Sequence, residues 1–295
     1  MLSRRHLFAA IVAVLAAGEP AAAQERLKVL ATFSILGDLV KNVGADRVEV
    51  SALVGPDSDA HVYAPSPADA RKIADAKVVI TNGLGFEGWM SRLVRASGSK
   101  APIIVATNGI TVRKAAGARG DADPHAWQSA ANVKVYVANI RDALIAADPA
   151  GREVFQANAA GYLAKLDALD AEIKAAVAAI PPERRRVISS HDAFGYFQQA
   201  YGIEFIAPQG VSTEAEASAR DVARIITQIR RLKIPAVFLE NVSDPRLMQR
   251  VAQETGARIG GKLYSDALTS EKGDAPTYLD LMRHNVRQLI TALAR

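Results

Sequence analysis

Residues 148–180 carry a continuous helical pattern, and on each side of that stretch short β-forming runs alternate with amphipathic ones. Phe155, Tyr162, Leu166, Leu169, Ile173 and Val177 recur at helical spacing. Asp148 reads as the N-cap, with Pro149 in the first helical position and Pro181-Pro182 ending the helix. At 1.5 Å per residue such a helix is roughly 45 Å long. It would restrict motion between whatever it joins.

On its N-terminal side, Leu27–Phe33, Val48–Val54, Val78–Thr81 and 103–106 read as strands, with helices at 35–43, 67–76, 86–96 and 130–146. On its C-terminal side, 187–190, 204–207, Ala236–Glu240 and 259–263 read as strands, with helices at 220–232 and 245–254. Strands alternating with helices predict parallel sheets built from βαβ units. The expected fold class is α/β: two lobes, each a mostly parallel sheet flanked by helices, joined by one long rigid helix. The corresponding divisions are a signal peptide at 1–23, a first lobe at 24–147, the linking helix at 148–180 and a second lobe at 181–295.

The N-terminus has the layout of a secretory signal: Arg4 and Arg5, a short apolar run at 7–15, and Ala21-Ala22-Ala23 before Gln24. Residues 3–8 also fit a twin-arginine signal, so either that route or the general secretory one serves. No later stretch is long and apolar enough to span a bilayer. The sequence has no Cys, so neither a disulfide nor a cysteine-linked lipid anchor is expected, and the mature protein should be a free monomer in a periplasm. Apolar residues make up 49% of the chain and charged ones 23%, as in an ordinary globular protein. The net charge of +5 is mild, and Arg184-Arg185-Arg186 is short and lacks interleaved aromatics. That excludes a nucleic-acid stripe and reads as a solvated turn.

Three histidines stand at loop-like positions next to element ends: His61 after the second strand, His125 before a helix, and His191 directly after a strand. In open α/β sheets ligands bind at the carboxyl ends of strands, and neutral imidazoles suit zinc, iron, copper and nickel. Asp266, following the last strand, is the best fourth donor. Three histidines and a carboxylate would close a tetrahedral site, which suits holding a metal better than catalysis. The residues are far apart in sequence, so spacing alone does not join them. Glu240-Asn241, Glu214 and Glu216 could line the same cleft and orient the histidines; Trp89, Trp127, Phe194 and Tyr196 read as packing around it.

The ordered set of motifs resembles the zinc- and manganese-binding receptors of ABC transporters, the ZnuA/TroA family, over nearly the whole mature chain. The motifs are VLATFSILGD at 29–38, GPDSDAHVYAPSP around His61, NGLGFEGW at 82–89, DPHAW around His125, SHDAFGYF around His191 and LYSD ending at Asp266. The resemblance implies two α/β lobes bridged by a long helix, with metal between them held by His61, His125, His191 and Asp266. It also implies a membrane permease and a cytoplasmic ATPase as partners. Ala60 stands where the family often has proline, and Gln128-Ser129 follow the second motif in place of its usual Leu/Met-Asp-Pro. Neither change removes a donor. The segment 114–121 is short and has no histidine, so the metal-collecting loop of many zinc members is missing. Manganese members usually carry a carboxylate where this chain has His191, so zinc is the expected cargo, with manganese or iron as the alternative. A metal-dependent hydrolase is the alternative of another class, but the chain has no H-E-x-x-H or G-x-S-x-G motif.

Exported protein should begin near Gln24. N-terminal sequencing of the periplasmic fraction checks this, and a chain still starting at Met1 would overturn it.

Overall fold

The computed structural model describes residues 25–115 and 121–294. The expected signal peptide with His6, and most of the 114–121 loop, lie outside the described residues. The first sheet comprises β1 (Leu27–Phe33), β2 (Val48–Val54), β3 (Val78–Thr81) and β4 (Ile103–Val105), in the order β2-β1-β3-β4. The second comprises β5 (Arg186–Ile188), β6 (Glu204–Ile206), β7 (Ala236–Glu240) and β8 (Arg258–Leu263), in the order β6-β5-β7-β8. Every pairing in both is parallel. The two sheets therefore share one winding although no sequence repeat announces it. In each, the chain moves outward from the first strand and then crosses to its other side, which creates a switch point beside that strand.

In the first lobe α1 (Ser34–Gly44) packs on α4 (Ala130–Ala147), and α2 (Pro67–Asp75) pairs with α3 (Met90–Ser97). Helix α3 begins later than its apolar pattern suggests. The Glu87 carboxylate turns back to accept from Asn82 N and Gly83 N at 2.6 and 3.1 Å. Leu84 and Gly85 have positive φ, so the segment before Met90 is a turn. In the second lobe α7 (Ala219–Leu232) pairs with α8 (Pro245–Thr255), and α9 (Tyr278–Leu293) packs on β8. The short α6 (Gly195–Tyr201) follows β5.

The linking helix is α5 (Arg152–Ala178), 27 residues or roughly 40 Å at the standard rise. Its expected stripe is buried, with Ala159 added to it. It packs on α1 and α4 of the first lobe and on α6 and α9 of the second. Asp148 does not cap it. One 3-10 turn (Pro149–Gly151) intervenes, and the Asp148 carboxylate accepts from Arg47 Nε and Nη2 at 2.9 and 2.7 Å. A charged guanidinium is a stronger partner than a backbone N–H. The arginine cluster is also more than a solvated turn: Arg185 Nε donates to Ile180 O at 2.8 Å just past the end of α5, and Arg186 pairs with Glu204.

One apolar core runs from β1, β3 and α4 through α5 into α6 and α9, so it is shared by both lobes; a smaller cluster lies among β5, β7, α7 and α8. Continuous apolar packing resists hinge opening, because separating the lobes would expose it to water. Among the described residues no helix is long and apolar enough to cross a membrane. Polar contacts also bridge the lobes: Tyr278 N, opening α9, donates to Asp38 Oδ2 of α1 at 2.9 Å. Burial pushes the Asp38 carboxyl up to about 6, although Tyr278 N–H, Lys41 and Asn42 oppose the shift.

A carboxyl raised in the folded state favours folding in its neutral form. Its contribution is present below its unfolded value of 3.8 and is lost as pH rises through about 6. Asp38→Asn should therefore raise the melting temperature by a few degrees at pH 7.5, with the gain shrinking toward pH 4. Calorimetry at both pH values checks this; an equal gain at both would contradict it.

Candidate metal centre

Each of the four expected donors follows a parallel strand and reaches a common point between the sheets. His61 lies on the loop after β2. Its backbone N–H donates to Asp59 Oδ1 at 2.9 Å, and Trp89 Nε1 donates to Ala60 O at 2.8 Å. These two bonds fix the loop on either side of Ala60. The edge of Phe86 lies against the His61 ring at 4.7 Å between centroids.

His125 ends the connection from β4. Its N–H and Nδ1 both meet Asp123 Oδ1, at 3.0 and 2.8 Å, and Arg113 holds the other Asp123 oxygen. The Arg113 guanidinium lies across Gly195, where any Cβ would collide with it. Arg113 N donates to Tyr196 OH at 2.8 Å, so this arm too is tied to the second lobe. An Nδ1–H donated to Asp123 leaves the Nε2 lone pair free to face a metal.

His191 follows β5, and Glu240 ends β7, the strand across the switch point. Glu240 Oε1 accepts from Ser190 N and His191 N at 2.6 and 3.1 Å, while Oε2 lies 2.6 Å from His191 Nδ1. Asp266 follows β8. The flanking backbone is held by Tyr264 N donating to Asn285 Oδ1 at 2.8 Å and Leu268 N donating to Ser34 Oγ at 3.0 Å.

The four donor atoms all lie within 4.8 Å of one another. His61 Nε2 and His125 Nε2 are 3.2 Å apart. Asp266 Oδ2 is 3.5 Å from His61 Nε2 and 3.1 Å from His191 Nε2, and Oδ1 is 3.7 Å from His125 Nε2. The Asp266 side chain is fully buried, yet neither oxygen receives a hydrogen bond of acceptable direction. A buried carboxylate without donors is costly; three converging imidazoles and a cation among them would compensate it. Three imidazole nitrogens and one carboxylate converging on one point make a donor set that fits a transition metal.

Burial alone would lower the His191 pKa, but the Glu240 and Asp266 carboxylates hold it well above the ordinary value. Burial would raise Asp266, yet His191 and His125 hold it well below the usual carboxylate range. Asp123 is likewise held low against the effect of burial, by His125 and Arg113.

Of the other candidates, Glu240 touches His191, while Glu214 and Glu216 are exposed and line two separate hollows at the cleft surface; Asp123, which touches His125, was not among them. Asn241 Nδ2 bridges to Asp57 Oδ1 at 3.2 Å. His284 is apart from the cluster, bonded to Lys262 O and packed on Tyr264. Trp127 packs beside His125 at 5.3 Å, and Phe194 stacks on Phe205. The role of Asp123 was readable from a carboxylate two residues before a histidine; that of Asp59 was not.

The family model of the periplasmic zinc-uptake complex component A, ZnuA, matches residues 29–292. The chain is 35% identical to the manganese-binding lipoprotein MntA of Halalkalibacterium halodurans, over 92% of this chain and 90% of that one. It is 36% identical to the iron-binding protein YfeA of Yersinia pestis, over 93% and 88%. Among solved structures it resembles the periplasmic zinc binding protein TroA from Treponema pallidum, with a TM-score of 0.87 and 30% identity over 92% of this chain and all of that one. A manganese-bound periplasmic metal binding protein from Candidatus Liberibacter asiaticus gives 0.82 and 32%, over 90% and 98%.

In metal-free protein His191 should stay protonated above the ordinary histidine value of about 6.5. The stability its ion pairs contribute is present below that value and lost as pH rises through the raised one. Glu240→Gln should bring its titration down. Imidazole NMR across pH 5 to 9 checks both, and a His191 titration unchanged by the substitution would refute the assignment.

Proposed function

Since the chain belongs to the ZnuA family of metal receptors for ABC transporters, we propose that it captures a divalent transition metal with His61, His125, His191 and Asp266 and delivers it to a membrane permease powered by an ATPase. The family is one of solute-binding proteins, not enzymes, so the hydrolase reading falls. The observation that carries the ligand assignment is the buried Asp266 carboxylate, which faces the Nε2 atoms of three histidines at 3.1 to 3.7 Å. Asp123 and Glu240 support it by fixing two of the rings through Nδ1.

Zinc is the cargo this donor set favours, because three nitrogens and one carboxylate suit tetrahedral coordination. The second reading is manganese or ferrous iron. It is favoured by the two free oxygens of Asp266, which could bind together and enrich the site in oxygen. Relatives named for manganese and iron binding point the same way. The place of work is outside the cytoplasmic membrane. Relatives include lipoproteins and periplasmic proteins, and a sequence without cysteine supports the free periplasmic form.

Zinc-edge absorption spectroscopy of loaded protein should give nitrogen-dominated four-coordination near about 2.0 Å. His61→Ala and His191→Ala should each weaken zinc binding by more than about 100-fold, beyond the cost of losing an outer partner. Asp266→Ala should weaken it less, since water can replace the carboxylate. A metal must expel the His191 proton, so affinity should keep rising with pH beyond about 6.5. A six-coordinate, water-rich shell or unchanged zinc affinity in both histidine variants would sink the assignment.

A further inference from the structure

One backbone carbonyl receives two side-chain donors from the opposite lobe. Ser265 O, immediately before Asp266, accepts from Trp127 Nε1 at 2.8 Å and from Gln128 Nε2 at 2.7 Å. Gln128 closes the 3-10 turn that His125 opens, with Gln128 N donating to His125 O at 3.1 Å. The turn is braced from behind by Tyr278 OH, which donates to Trp127 O at 2.8 Å. Thus the His125 turn of the first lobe is tied directly to the Asp266 loop of the second, through residues two or three positions from the donors.

The two ties are not equivalent. Trp127 is a large, fully buried ring packed on Phe33, Phe86 and His125, so its presence is explained by the core. Gln128 is also fully buried, yet its Oε1 has no hydrogen-bond partner. A stranded buried amide oxygen opposes folding. An apolar side chain of the same length would fill the space without that cost. What Gln128 adds is one N–H across the lobe boundary, aimed at the peptide that carries Asp266.

We propose that Gln128 is a positioning residue that straps the Asp266 loop to the His125 turn and thereby sets how slowly metal leaves. The inference rests on the ligand assignment above. The strap acts on the assembled site, so its removal changes release and leaves capture alone.

The test is stopped-flow transfer of zinc from loaded protein to excess chelator, with uptake and the metal-free melting temperature measured beside it. Gln128→Met keeps length and loses the donor. It should speed release about five- to tenfold, the scale of one buried hydrogen bond. Its uptake rate should be unchanged and its metal-free melting temperature equal or higher. Ser265→Ala removes only an unpartnered hydroxyl and should release zinc at the wild-type rate. Gln128→Leu, which also lacks a donor, should release about as fast as Gln128→Met and serves if that variant does not fold. Wild-type release rates in both Gln128 variants would overturn the strap. So would Ser265→Ala matching Gln128→Met, or an effect confined to uptake. Wild-type protein that takes up no metal would overturn the ligand assignment and the strap together.

Discussion

A fully buried carboxylate ringed by three imidazoles governs this molecule. Isolated in an apolar interior, the Asp266 charge would cost several kcal/mol or shift to its neutral form. It stays charged because His191 and His125 stand against it, and those rings stay in place because Glu240 and Asp123 hold their far nitrogens. The resulting chain of contacts reaches outward to Arg113 and through it to α6. Loss of one member would leave its neighbour buried and less well compensated, which costs more than the loss of a surface ion pair.

The frame around that network was readable from sequence to different depths. β1 and β2 and the buried stripe of α5 follow from apolar periodicity, since each buries a continuous face. The start of α3 was misread because Glu87 turns back onto the backbone of Asn82 and Gly83, a side-chain choice that periodicity does not encode. Asp148 looked like a cap and became the partner of Arg47, 101 residues away. The four donors are single residues on four loops, and no local spacing links them; only the resemblance joined them before the structure did. Glu240 was a candidate because it ends a strand. Gln128 stood out only as a departure from the second motif, and its role was illegible because its contact with Ser265 O exists only when the two lobes are assembled.

The shared apolar core and α5 restrict the kind of motion open to the protein. Separating the lobes would expose packed surface along β1, α1, α4 and α9. Loops have no such cost. The loop bearing His61 is held by a few hydrogen bonds, among them Thr213 Oγ1 to Asp59 Oδ2 at 2.6 Å, and Val62 beside it is exposed. Motion that spares the shared core is confined to such loops.

The repeated winding of the two sheets has a consequence for the behaviour of fragments. His125 and Asp266 follow the corresponding strands β4 and β8, and each half contributes two donors. Two donors bind a transition metal weakly, whereas four held rigidly gain from every attachment that follows the first. On the proposed ligand set, tight chelation belongs to the paired halves and to neither half alone. A chain cut within α5 would therefore keep its ion only for as long as the shared apolar core held the two halves together.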